Sequence, residues 1–155
     1  MSLSPAYSES LGVPLRWWVQ GTMLVATLWL AVVVALPPVA AWIITAIAMA
    51  LLSCGFWAYG AARITVDATT FRAGRAQIEA AYVGAVTPLD AGDTRRIAGR
   101  DADARAYLLL RPYLKRAVQV EITDPADPAP YWLVSTRRPD ELAGALAALT
   151  QSVHD

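Results

Sequence analysis

Two long apolar stretches dominate the first third of the chain. Residues 17–36 and residues 39–59 each approach the roughly 20 residues that an α-helix needs to cross a bilayer core. Pro37 and Pro38 separate them, and because each proline lacks an amide proton, the pair predicts a turn. Since backbone groups cannot stay unpaired in lipid, the pattern predicts a hairpin of two transmembrane helices.

Beyond residue 60 the pattern changes to short strands. Val118, Val120 and Ile122 alternate with polar residues, which is the period-two pattern of a half-buried strand. Prolines between positions 124 and 130 predict a stiff loop after it. Other strands are predicted within residues 63–66, 67–74, 77–89, 106–110 and 131–136, and a loop with a short helix at 91–103.

The chain closes with an amphipathic helix that begins at Pro139. Leu142, Leu146 and Leu149 fall at i, i+4 and i+7, so they form one apolar stripe that should pack on the sheet. The order predicts an α+β membrane protein: the hairpin, then a small antiparallel β-sandwich or barrel of pleckstrin-homology-like order with a C-terminal helix. A split sheet-plus-helix domain is the alternative.

Charges flanking the apolar stretches predict the orientation. Arg16 precedes the first span; Arg63, Arg72 and Arg75 follow the second, and the turn between the spans is uncharged. The positive-inside rule then places both termini in the cytoplasm at the plasma membrane. The predicted division is an N-terminal segment 1–16, spans 17–36 and 39–59, and a cytoplasmic domain 61–155. Aromatic residues predicted to anchor the inner interface are Trp17, Trp18, Trp57 and Tyr59.

Neither span contains Asp, Glu, Lys, Arg or His. Ion and proton pathways usually need one, so a single copy is not expected to transport. Ala46 and Ala50 form a small-xxx-small pair that favours close helix packing, within the hairpin or between copies. A cleaved signal peptide is the alternative for the first stretch, but a second span follows at once.

Composition narrows the chemistry. The net charge is zero, which argues against bulk binding of nucleic acid. Cys54 is the single cysteine and His154 the single histidine. We therefore expect no disulfide within the chain, no metal site and no cofactor.

Two acidic pairs and one serine are candidates for catalytic groups. Asp124 and Asp127 can be a metal pair or loop caps, and Asp101 and Asp103 an acid–base pair or solvated charges. Ser135 lacks the nucleophile-elbow pattern. Because no base or nucleophile is set beside a partner, we expect no catalytic residue and no enzyme.

Basic residues offer a different hypothesis. They can contact anionic lipid headgroups or an anionic partner, or they can pair with the equally numerous acids. The candidates are Arg111, Lys115, Arg116, Arg137 and Arg138.

Three sequence runs carry a family resemblance: Tyr7-x-Glu-x-Leu-x-Val-Pro-Leu-x-Trp-Trp18, Asp103-Ala-Arg-Ala-Tyr-Leu-Leu-Leu-Arg-Pro112, and Pro130-Tyr-Trp-Leu-Val-Ser-Thr-Arg-Arg-Pro139. Together they resemble the actinobacterial membrane family catalogued as domain of unknown function 3093. The resemblance implies the hairpin and a pleckstrin-homology-like domain; it implies no activity and no catalytic residue.

The pattern and the resemblance favour a membrane-anchored interaction module. Its expected partners are membrane lipids, a protein or its own copies, and not nucleic acid. The alternative is a small accessory subunit of a larger envelope or transport complex that acts through its hairpin. A membrane enzyme is the third and least favoured class.

Overall fold

The computed structural model describes residues 6–154. The chain divides into two compact units. One is the segment Gly12–Ala61, and the other combines the residues up to Leu11 with those from Ala62 onward. The second unit is called the domain below.

The first unit is a helical hairpin. Helix α1 spans Leu15–Ala35 and helix α2 spans Pro38–Gly60, within two residues of the predicted spans. Pro38 occupies the first position of α2, where a missing amide proton costs nothing. Both helices are long enough and apolar enough to cross a membrane.

Small residues let the two helices approach closely. Gly21 is buried, and a Cβ atom placed on it would lie 2.8 Å from a methyl carbon of Leu52. Ala41 is fully buried. Near the turn, the rings of Trp29 and Trp42 lie 5.7 Å apart. Interhelical packing of this kind is typical of membrane helices, where small residues take the place of a hydrophobic core.

The domain contains two four-stranded sheets. In the first, the strands follow chain order and every pair is antiparallel. Gly74 has a φ of +63° and begins the two-residue turn between its last two strands, a backbone conformation that glycine adopts without strain. The strands are β1 Tyr7–Ser10, β2 Arg63–Val66, β3 Thr70–Ala73 and β4 Ala76–Glu79.

The second sheet has the order β5-β7-β8-β6, with β5 Val83–Leu89, β6 Tyr107–Leu109, β7 Ala117–Ile122 and β8 Tyr131–Ser135. A purely antiparallel domain was expected, and the structure corrects this. β7 runs antiparallel to β8, and β6 joins the far side of β8 in a parallel pairing. The sheet is mixed because β6 skips β7, the next strand in the chain, and pairs with β8 in the same direction.

Helices complete the domain. Helix α3, Ala91–Ala98, lies within the predicted loop, and the Asp90 side chain caps its N-terminus by accepting from Gly92 and Asp93. Helix α4, Pro139–His154, follows β8. Its predicted stripe, Leu142, Leu146 and Leu149, is buried in the core shared by both sheets.

The N-terminal segment supplies a strand that sequence reasoning did not assign. β1 pairs with β2, and the Leu11 amide donates to the Ala62 carbonyl at 3.0 Å. Tyr7 and Leu11 are buried in the domain core. The predicted domain began at residue 61, and the structure adds this earlier strand to it.

Candidate functional site

The structure brings the predicted basic residues to one end of β7 and β8. Arg137 and Arg138 connect β8 to α4, and the Arg116 guanidinium donates to the Arg137 carbonyl at 3.3 Å. Lys115 is exposed beside Arg116. Arg111 lies after β6, where its backbone amide donates to the Ser135 hydroxyl at 3.1 Å.

A buried carboxylate lies beneath this cluster. Glu9 is only 5% exposed. One of its oxygens accepts from the Tyr7 hydroxyl at 2.6 Å and from the Thr136 hydroxyl at 2.5 Å. The other accepts from the Arg137 amide at 3.0 Å, with the Arg137 guanidinium at 3.7 Å. This full set of partners offsets the cost of burying a charged group.

The two arginines before α4 are therefore balanced within the domain. Arg137 faces Glu9, and its guanidinium also donates to the Ser10 carbonyl at 3.0 Å. Arg138 donates to Glu141 at 2.8 Å and lies 5.2 Å from the centre of the Tyr7 ring. Both side chains remain exposed, so their solvated faces stay accessible while their charges are already compensated.

Burial also changes the chemistry of Tyr7. The loss of hydration, together with the smaller contribution of the hydrogen bond to the Glu9 carboxylate, raises the pKa of its hydroxyl to about 12. The phenol therefore keeps its proton at neutral pH and serves as a hydrogen-bond donor. The arrangement ties β1 to the start of α4 and presents no activated nucleophile.

The carboxylates considered as candidate catalytic or metal-binding groups lie in loops. Asp124 and Asp127 accept from backbone amides two residues ahead, those of Ala126 and Ala129, which is the geometry of local caps. Hydrogen bonds from the backbone and side chain of Arg105 lower the pKa of Asp103. Within residues 6–154, no group of three or more His, Cys, Asp or Glu side chains is placed to hold a metal ion.

The predicted interface aromatics lie at the open end of the hairpin, where α1 begins and α2 ends. The rings of Trp17 and Tyr59 stack with centroids 6.3 Å apart, and Trp18 meets Phe56 edge-on at 5.1 Å. Trp57 is 81% exposed on the outward face of α2. This end of the hairpin therefore carries an aromatic cluster next to the flanking Arg16.

Sequence reasoning missed three members of the buried network, which are Tyr7, Glu9 and Thr136. The available signal was the alternation of Tyr7, Glu9 and Leu11, which is the spacing of one strand face. A glutamate at an inward position hid that signal, because an isolated acidic residue usually indicates solvent exposure.

No curated protein matches the chain, and no solved structure matches it. The family described as "Protein of unknown function (DUF3093)" matches residues 6–146, a range that includes β1, both helices of the hairpin and all the remaining strands. The chain therefore belongs to this family.

Proposed function

We propose that this protein is a membrane-anchored interaction module, with its hairpin in the plasma membrane and its domain at the inner face. One observation carries the proposal: the two apolar helices are inserted between β1 and β2, which are adjacent strands of the same sheet. The domain begins before the first helix and resumes after the second.

Strand pairing constrains the membrane topology. β1 and β2 can form their ladder only if both lie on the same side of the membrane, which requires an even number of spans between them. Two helices satisfy that requirement. Arg16 before α1 and Arg63 after α2 then favour the cytoplasmic side.

The surface of the hairpin supports a lipid environment. Most of the exposed large apolar side chains among the described residues belong to this segment, and Val34 is 88% exposed. Apolar surface this extensive is rare in a water-soluble monomer. The side chains with the highest exposed fractions are those of Leu15, Met23, Leu24, Val34, Val39, Leu51 and Trp57.

The surface of the domain offers features through which it can bind a partner. Its two sheets and terminal helix agree with a pleckstrin-homology-like arrangement, although the parallel β6–β8 pairing departs from a simple antiparallel order. β4 is the last strand of the first sheet, and a free edge of this kind can accept a strand from a protein partner. Lys115 and Arg116 are exposed and can contact an anionic partner.

Membrane extraction and terminal reporters test the anchoring. The full chain should stay in the membrane pellet after washing at high pH, and reporters fused to either terminus should both be active in the cytoplasm. An external C-terminus would overturn the proposed orientation. Crosslinking in native membranes, followed by mass spectrometry, should then recover a protein joined to the domain.

A second candidate is the accessory subunit that acts through its hairpin. The observation that favours it is the outward face of α2, where Ala46, Ala50 and Cys54 are exposed at four-residue intervals. Small residues in this spacing permit close approach of another membrane helix. If the segment Gly12–Ala61 alone restores the phenotype of a deletion strain, this candidate replaces the interaction module.

A further inference from the structure

Two arginines lie on the outer face of the first sheet, and a third lies in the turn at its end. β2 and β3 are antiparallel, with Thr65 opposite Arg72. Arg63 precedes Thr65 by two residues and so lies on the same face, diagonal to Arg72 at roughly 7–8 Å between Cα atoms. Arg75 extends from the turn between β3 and β4, and the Gly74 amide beside it donates to the Arg63 carbonyl at 2.9 Å.

These arginines form no ion pair with an acidic side chain of residues 6–154, in contrast to the two arginines at the start of α4. Of the ion pairs formed between residues 6–154, none includes Arg63, Arg72 or Arg75, and all three residues are exposed. No acidic residue occurs in 61–66 or 71–78. The outward positions paired with two of these arginines are neutral, with Ser10 opposite Arg63 and both Thr65 and Gln77 opposite Arg72. The acids Asp67 and Glu79 lie one outward position further along, diagonal to Arg72 and on the side away from Arg63.

The position of the patch in the chain identifies its partner. Arg63 follows the last residue of α2 by three positions, a reach of at most roughly 10 Å for an extended chain. The turn that carries Arg75 is hydrogen-bonded to Arg63. A patch tethered so closely to the end of a membrane helix meets lipid headgroups at a very high local concentration.

We propose that Arg63, Arg72 and Arg75 form a binding surface for anionic lipid phosphates of the inner leaflet. The inference rests on the proposed membrane anchoring and adds a partner to it. Guanidinium groups bind phosphate oxygens through two parallel hydrogen bonds. In contrast to Arg137 and Arg138, the three arginines of this surface form none of the ion pairs between residues 6–154.

The test is native mass spectrometry of the full chain in a nonionic detergent, titrated with phosphatidylglycerol or phosphatidylcholine. The wild type should prefer phosphatidylglycerol. Each arginine should contribute about fivefold to that affinity, so R63Q/R72Q/R75Q should weaken phosphatidylglycerol binding at least tenfold and leave phosphatidylcholine binding unchanged. The charge-retaining R63K/R72K/R75K should keep the preference.

A matched control removes three exposed charges elsewhere in the domain. R95Q/R100Q/R105Q should bind phosphatidylglycerol within about twofold of the wild type. If the triple variant of the patch fails to fold, R72Q/R75Q leaves the residue next to α2 intact and should still show a severalfold loss.

Four results would overturn the proposal. They are a wild type without lipid preference, an unchanged affinity in R63Q/R72Q/R75Q, an equal loss in both triple variants, and displacement of the lipid by inorganic phosphate at the same concentration. The last result would indicate a site for free phosphate. None of the four bears on the anchoring, since extraction of the wild type from membranes measures that separately.

Discussion

The hairpin and the domain differ in where their large apolar side chains lie. In the hairpin the buried residues are Gly21, Val25 and Ala41, and large apolar side chains point outward. In the domain Phe71 and Leu133 are fully buried, and every arginine except the half-buried Arg111 is exposed. This difference supports the proposed lipid environment of the hairpin, because apolar burial stabilises structure only where the surroundings are water.

Polar groups show the same contrast. The helices of the hairpin contain no charged side chain between residues 17 and 60, and hydroxyls such as that of Thr45 donate to the carbonyl four residues earlier, here that of Ala41. The domain instead buries the Glu9 carboxylate and satisfies it with donors from three residues. The domain thus specifies a contact between distant residues with a charged group, whereas the contacts between the two helices of the hairpin depend on the shapes of their side chains.

The largest expected effect comes from a substitution in the core of the domain. Phe71→Ala should lower the free energy of unfolding by about 3–5 kcal/mol, because it removes a fully buried ring that lies 5.7 Å from Trp132. Urea titration of the full chain in detergent, followed by near-ultraviolet circular dichroism, measures this loss. Val34→Ala, at an outward position of the hairpin, should change the value by less than about 0.5 kcal/mol.

The next effect concerns the lipid face. Ile47→Asp places a charge on an exposed position near the middle of α2 and should cost about 3 kcal/mol in membrane insertion. The fraction of chain released from membranes at high pH should rise. Ala126→Asp adds the same charge to an exposed loop of the domain and should leave that fraction unchanged; equal release from both variants would contradict the lipid-facing assignment.

The buried carboxylate should have a smaller but clear effect. Glu9→Ala removes the carboxylate that accepts from the Tyr7 and Thr136 hydroxyls and from the Arg137 amide, and leaves the two hydroxyls only their mutual contact at 3.2 Å. The expected cost is about 2–3 kcal/mol in unfolding free energy. Glu79→Ala removes an exposed carboxylate from β4 and should cost under about 0.5 kcal/mol. Equal losses in both variants would show that β1 is not held by this network.

The smallest effect appears only at alkaline pH. The pKa of Tyr7 is raised from 10.0 to about 12 on folding, so the protonated phenol stabilises the folded state fully below pH 10 and loses that contribution as the pH rises towards 12. Tyr7→Phe should remove this part of the alkaline decline. Difference absorbance of phenolate near 295 nm should also lose one transition near pH 12, whereas Tyr82→Phe, at an exposed ring, should leave that transition in place.

Much of the fold could be predicted from the sequence because periodicity reports burial directly. Residues 63–66 were predicted as a strand, and β2 occupies that range. The stripe of leucines in α4 is buried as expected. The charge-free stretches located both helices to within two residues. These features depend on local pattern alone.

The remaining features depend on contacts distant in sequence. The parallel direction of β6 follows from its place beside β8, which no local pattern records. β1 was missed because its inward Glu9 resembles a solvated residue until Thr136 and Arg137 are placed beside it. The predicted basic residues lie at one end of β7 and β8, but the pairing of Arg137 with the buried Glu9 has no local signal in the sequence.

The insertion of the hairpin between β1 and β2 has a consequence for the order of events during synthesis. β1 leaves the ribosome first, but Glu9 and its partner Thr136 are separated by 127 positions. At roughly 5–20 residues per second, β1 waits for roughly 6–25 seconds before that partner exists. Both helices are synthesised in that interval, so the domain can close only after the hairpin has been made.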